Sequence, residues 1–211
     1  MFIDFEKWHG CKNDFIVTWV QEHNREMIVD ALRRQATKIC GRDGGGIGAD
    51  GILILRRAER DDLPPTRLII INADGSRAKN CGNGLRVAAL SVYKYFHNAG
   101  LEKHLPESFE IGVEDAYIPL RFMPSTSDGL PNVSVEIGTA KKIKDGEVFD
   151  NIKSSIESVQ KEFNIKGLLD DWSYIDILNP HLVFNLDDFD EDIVEKLGAK
   201  LQNVPGLDGI N

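Results

Sequence analysis

Residues 85–96, LRVAALSVYKYF, place apolar side chains on almost every side of a helical cylinder. Leu85, Ala88, Ala89, Val92, Tyr93 and Phe96 follow the helical spacing, and Val87 and Leu90 carry apolarity around the rest of the circumference. A helix of that kind has to be covered from several directions, so the rest of the chain must pack around it. With 42% hydrophobic residues in 211 positions, the chain has enough apolar side chain for ordinary packed cores. Gly100 lies just beyond the expected helix end.

Candidate strands surround that helix in the sequence. Residues 2–5 and 15–20 flank the polar turn WHGCKND, residues 51–55 (GILIL) form a short buried-looking run, and residues 67–72 (RLIIIN) end in the turn-forming ADGS. A first helix is expected over residues 26–40, followed by an unusually glycine-rich stretch at 41–51. Residues 109–122 and 132–137 alternate as strands do, and a second αβ unit is expected from residue 118 onward. In it, Ile152, Ile156, Val159 and Phe163 mark one helical face. Residues 174–177 and 182–186 read as strands around Asn179-Pro180-His181, and an acidic helix over 191–197 is expected to end at Gly198.

A formal net charge of −9 and the lack of a basic tract argue against a nucleic-acid surface. The start MFIDFEKWHG has no apolar run of signal-peptide length, and nowhere do about 18 apolar residues follow one another, which predicts no membrane span. Three cysteines without a CxxC pair suggest neither a disulfide framework nor a zinc knuckle, and a reducing cytoplasm suits them. The acidic run LDDFDED reads as a solvated loop and helix start, not a metal site.

Cys81 stands where the turn-forming run meets the apolar helix. Unpaired N–H groups and the positive end of the helix dipole favour a thiolate at such a place, and Gly82 and Gly84 around Asn83 allow backbone amides to approach a ligand carboxylate. The opposing reading is a small buried residue ahead of a core helix. Cys11, in a turn, and Cys40, at a helix end, read as structural. A cysteine hydrolase using His9 or His181 lacks any sequence context that brings either beside Cys81.

HGCKNDF, GIGADGILIL, NADGSRAKNCGNGLR and NPHLV, in that order, resemble the diaminopimelate epimerase family, and the likeness runs from the first residues to Asn211. The resemblance implies an α/β (α+β) fold of two similar domains, each a sheet wrapped around a central helix, here residues 1–117 carrying Cys81 and 118–211 as an incomplete second domain. It implies interconversion of LL- and meso-2,6-diaminopimelate, on the way to lysine and peptidoglycan precursors, by two cysteines on opposite faces of the α-carbon, with no metal or cofactor. Cys81 would be the first of that pair. Gly82 and Asn83 would meet the substrate carboxylate, and Asn13, Asn72, Asn179 and Asn211 would be polar substrate contacts. A cytoplasmic enzyme is implied, with a small-molecule substrate and a possible homodimer.

The family's second cysteine and a preceding Glu-Arg contact lie in later motifs that do not occur in these 211 residues, so the chain is expected to be C-terminally truncated and at most a trace epimerase by itself. Loop 41–47 is one residue longer than usual, Leu178 stands where the family has glycine, and the approach over 204–210 is short. Two alternatives remain. One is a related racemase acting on histidine or proline-like substrates; the other is a remnant that binds an amino acid without turning it over.

Overall fold

The computed structural model describes residues 2–125, 129–163, 167–177, 180–185 and 191–202. Two units separate, Met1–Ile137 and Gly138–Asn211. The first holds β1 (Glu6–Gly10), β2 (Asn13–Val20), α1 (Arg25–Cys40), β3 (Gly51–Arg56), β4 (Arg67–Asn72), α2 (Gly82–Asn98), β5 (Ser108–Val113), β6 (Ala116–Met123) and β7 (Asn132–Val135). Its strands lie side by side in chain order; β2/β3 and β4/β5 run parallel and the other neighbours antiparallel.

The period-two alternation of strand side chains sorts this sheet into two faces. Phe15 and Val17 of β2, Leu53 and Leu55 of β3, and Leu68 and Ile70 of β4 pack on one face with Leu85, Val87, Ala88, Ala89, Val92 and Phe96 of α2. Ile16, Val20, Ile52, Ile54 and Ile71 point to the other face and meet Ile28, Val29, Ala36 and Cys40 of α1. Because β3 is covered on both faces, its sequence is an unbroken apolar run rather than an alternating one.

Helix α2 touches β1 and β7, the two edges of the sheet, as well as β2, β3 and β6. A sheet whose opposite edges both reach one helix is curled around it, which makes a mixed α+β half-barrel with α2 as its axis. The six named α2 side chains are 0% exposed. Each buried Leu, Val or Phe among them contributes about 1.5–3 kcal/mol, so the all-round apolarity of this helix is what closes the sheet.

In the second unit, β8 (Lys141–Ile143), β9 (Trp172–Asp176) and β10 (Pro180–Phe184) form an antiparallel sheet in the order β10-β9-β8, accompanied by α3 (Glu147–Phe163) and α4 (Glu191–Gln202). Ile152, Ile156 and Val159 bury the expected face of α3 against Leu168, Leu197 and Leu201.

Several elements depart from the sequence expectations. Residues 2–5 are not a strand; β1 starts at Glu6, because the turn at Cys11-Lys12 pairs Gly10 with Asn13 and Glu6 with Val17. Both turn residues have positive φ, 52° and 71°, which is strained for side chains other than Gly or Asn. The stretch 109–122 is two strands, β5 and β6, hinged at Glu114 (φ 47°). The hairpin and β7 keep the sheet continuous past residue 117, so the first unit closes after Ile137. Helix α4 passes through Gly198, since Leu197 and Leu201, one turn apart, both bury into the same core.

Candidate active site at the start of helix α2

Strand register brings three polar positions to one end of the first sheet. Gly10 pairs with Asn13 across the β1–β2 turn, Phe15 with Gly51, and Gly51 with Asn72. Asn13, Asp50 and Asn72 therefore sit at neighbouring strand ends. The start of α2 lies against the same place: a Cβ added at Gly10 would stand 3.3 Å from the Asn83 carbonyl oxygen and 3.1 Å from Val87.

Cys81 is the residue that caps α2. Its backbone is extended (φ −156°, ψ 100°), its carbonyl accepts from Leu85 N at 2.8 Å, and its Sγ accepts from Gly84 N at 3.3 Å. The thiol thus occupies the position usually held by a Ser, Thr, Asp or Asn oxygen, at the end of the helix where free N–H groups collect. Gly84 allows this approach, because a side chain there would meet Sγ at 3.3 Å and Leu53 at 3.2 Å. Cys81 is half-buried and free. Cys11 is exposed in the strained turn, and Cys40 is buried at the end of α1, where loss of solvent pushes its thiol pKa up.

Two expected amides meet directly: Asn83 Nδ2 donates to Asn13 Oδ1 at 2.7 Å. Asn72 shares their end of the sheet, but its side chain turns into its own loop, donating to Ser76 Oγ at 2.9 Å. Among the described residues, the atoms nearest a Cβ at Gly82 would be Arg86 Nη1 (3.7 Å) and Ile137 (4.0 Å). Asn179 and Asn211 lie outside the described residues.

Charged residues that sequence reading did not single out hold this arrangement. Asp50 Oδ2 accepts from Asn13 Nδ2 (3.2 Å) and from Asp14 N (3.0 Å), and its Oδ1 accepts from Arg42 (2.8 Å). Arg42 also takes both oxygens of Asp14, and Lys7 sits 3.1 Å from the same carboxylate. On the other side, Arg86 Nη1 donates to Asn83 Oδ1 at 3.1 Å. Asp50 and Arg86 stand inside the GIGADG and NCGNGLR motifs, and their opposite hydrogen-bonding character was the available signal.

The Arg42 hydrogen bonds, with smaller help from Lys7, hold the Asp14 carboxyl far below the ordinary carboxylate range despite the opposing effect of burial. The fold favours the charged form, so this stabilisation is complete above about pH 4 and is lost as pH falls through the lowered value. Asp14→Asn should therefore lower stability at neutral pH and flatten the acid side of the stability profile. Urea denaturation at several pH values from about 6 down to 2 measures this, and an unchanged acid slope in the variant would refute it.

Among the described residues no cluster of three His, Cys, Asp or Glu could hold a metal ion, and no helix is long and apolar enough to cross a membrane. A family model for diaminopimelate epimerase matches residues 5–113, just over half of the chain. The chain belongs to the diaminopimelate epimerase family. The match takes in every strand end of the site together with Cys81. A diaminopimelate epimerase from Caldanaerobacter subterraneus subsp. tengcongensis is 31% identical over 206 residues, covering 94% of this chain and 65% of its own. One from Listeria welshimeri is 31% identical over 215 residues, covering 99% and 62%. The chain thus spans slightly under two thirds of the length of these curated epimerases.

Solved structures agree on the fold. A phenazine biosynthesis protein of the PhzF family from Bacillus anthracis superposes with a TM-score of 0.56 at 13% identity, over 86% of this chain and 55% of that one. A predicted epimerase from Pseudomonas aeruginosa gives 0.53 at 12% identity, over 93% and 67%. At such low identity the likeness concerns architecture alone, and it is the curled mixed sheet described above.

Proposed function

We propose that this chain carries one catalytic half of a diaminopimelate epimerase, an isomerase that interconverts LL- and meso-2,6-diaminopimelate without a cofactor. The observation that carries the reading is the Cys81 thiol seated as the N-terminal cap of α2, beside the Asn13–Asn83 amide pair. Cys81 Sγ, as thiolate, takes the proton from the substrate α-carbon. The Cα–H bond breaks, the proton moves to sulfur, and the electron pair spreads into the adjacent carboxylate.

That carbanion is very unstable in water, so fixed donors must already surround the growing charge. The backbone N–H groups at Gly82 and Asn83 are suited to the carboxylate, because the first N–H groups of a helix have no partner within it. The carboxamides of Asn13 and Asn72, together with Asn179 and Asn211, read the two amino-acid ends of the substrate, since each amide both donates and accepts without adding charge. Return of a proton to the opposite face completes the inversion and requires a second acid. Membership of the family supports a role in lysine and peptidoglycan precursor synthesis, a cytoplasmic setting and assembly as a homodimer.

Removal of the α-hydrogen by one base leaves a signature that needs no inversion. In heavy water, meso-diaminopimelate incubated with the 211-residue protein should gain one mass unit at an α-carbon per exchange. Binding of the ligand with no mass gain would replace the catalytic reading with that of an amino-acid-binding protein.

A further inference from the structure

The hydrogen bonds around the amide pair form an unbroken line, Asp50–Asn13–Asn83–Arg86. Asn13 Nδ2 donates to Asp50 Oδ2, Asn83 Nδ2 donates to Asn13 Oδ1, and Arg86 Nη1 donates to Asn83 Oδ1. An asparagine amide turned end over end keeps its shape, so its neighbours alone decide which end is oxygen. Here the ends of the line leave no choice: a carboxylate only accepts, and a guanidinium only donates. Turning Asn13 alone would set oxygen against the Asp50 carboxylate and NH₂ against the NH₂ of Asn83. Turning both amides would set oxygen against Asp50 and NH₂ against Arg86. Only one arrangement pairs every group.

We propose that Asp50 and Arg86 are positioning residues of the diaminopimelate site. They act as opposed end groups that lock the carboxamides of Asn13 and Asn83 in a single donor–acceptor orientation before substrate arrives. The inference rests on the functional reading above and extends it to residues that need not touch the substrate. Three different segments supply the line: the β1–β2 turn (Asn13), the residue before β3 (Asp50), and the first turns of α2 (Asn83, Arg86). Asp50 is itself fixed by Arg42 and by Asp14 N, so the acceptor end does not swing away.

The remaining N–H of each amide and the free lone pair of each carbonyl are then fixed in direction, so what they offer a substrate is a set pattern. An amino-acid end carries an ammonium that donates and a carboxylate that accepts, and a fixed pattern rejects the reversed placement. Polar groups left mispaired in a site give larger discrimination than shape alone. In contrast, each of these partly exposed hydrogen bonds contributes little to folding, so the line has more effect on recognition than on stability.

The lock has a signature that independent contacts lack: either end alone still fixes both amides through the Asn13–Asn83 bond, and only removal of both ends lets the pair turn over together. The test compares the 211-residue protein with Asp50→Ala, Arg86→Met and the double variant. Side-chain amide NMR needs no ligand: Asp50→Ala should shift the signals of Asn13 and keep one sharp set for Asn83, whereas the double variant should broaden or double the signals of both as the pair turns over. In α-hydrogen exchange from heavy water with meso-diaminopimelate, each single change should raise KM by only about threefold with kcat nearly unchanged, because the other end still holds both amides. The double variant should rise about a hundredfold, well beyond the roughly tenfold that two independent losses would give. Asp50→Ala combined with Arg86→Lys, which still only donates, should stay close to Asp50→Ala alone and keeps the test readable if Arg86→Met folds poorly. A double variant no worse than the product of the two singles, or one whose Asn13 and Asn83 amides keep single sharp signals, would overturn the lock. A parent protein that neither binds nor exchanges diaminopimelate overturns the functional reading instead, and the NMR result then decides the lock alone.

Discussion

Gly46→Ala is expected to destabilise the protein by about 2–4 kcal/mol, whereas Gly45→Ala, one residue earlier, should change stability by less than about 0.5 kcal/mol. A Cβ at Gly46 would fall well inside contact distance of the Gly41 and Lys38 carbonyl oxygens and 2.8 Å from that of Ile39. These are main-chain atoms and cannot rotate aside. A Cβ at Gly45 would meet nothing within 4 Å, and the residue does not have a positive φ.

Moving the loop to make room would uncap α1. Ile47 N donates to Ile39 O (2.8 Å), Gly48 N to the same oxygen (3.3 Å), and Ala49 N to Cys40 O (3.0 Å), which closes carbonyls that a helix end leaves without partners. The glycine-rich stretch therefore acts as the seat of a helix C-terminus. It also leads directly into Asp50, so a strained loop would displace the carboxylate that holds Asn13. Urea midpoints of the two variants and the parent test this, and similar midpoints for both alanine variants would show that the loop yields freely.

Those elements that single-segment physics determines were legible in the sequence. The core helix α2 could be read because its apolarity runs around the cylinder, and β3 because a strand covered on both faces loses its alternation. Strand β1 was misplaced because the Cys11-Lys12 turn has positive φ at two residues with none of the usual Gly or Asn marks. The β5–β6 hairpin was missed for the same reason at Glu114. The strand β8 is too short to show a period.

The candidate site divides in a similar way. Cys81 could be picked out from its own neighbours, since a thiol between turn residues and an apolar helix falls at a helix start. The Asp50–Asn13–Asn83–Arg86 line depends on how a hairpin turn, a loop and a helix come together across the sheet. No local window contains that information. Asn72 illustrates the converse: its position at the strand end was legible, but its pairing with Ser76 follows from the fold of its own turn.

Replacing Cys81 should reduce α-hydrogen exchange by on the order of 10³-fold with little change in diaminopimelate binding, and the choice of replacement separates chemistry from structure. Cys81→Ala removes both the base and the helix cap. Cys81→Ser removes only the base, because a hydroxyl is a far weaker acid than a thiol, while its oxygen is a better cap for Gly84 N than sulfur at 3.3 Å. The serine variant should therefore melt at or slightly above the parent temperature and still fail to exchange. Cys81→Ala should fail equally and melt lower, by the cost of a lost cap, about 0.5–2 kcal/mol. Exchange at the parent rate in Cys81→Ser would assign the base to another group and leave Cys81 a capping residue. If the serine variant melts normally but no longer binds diaminopimelate, Cys81 holds the substrate before it acts on it, and binding and proton removal at this helix start could not be separated.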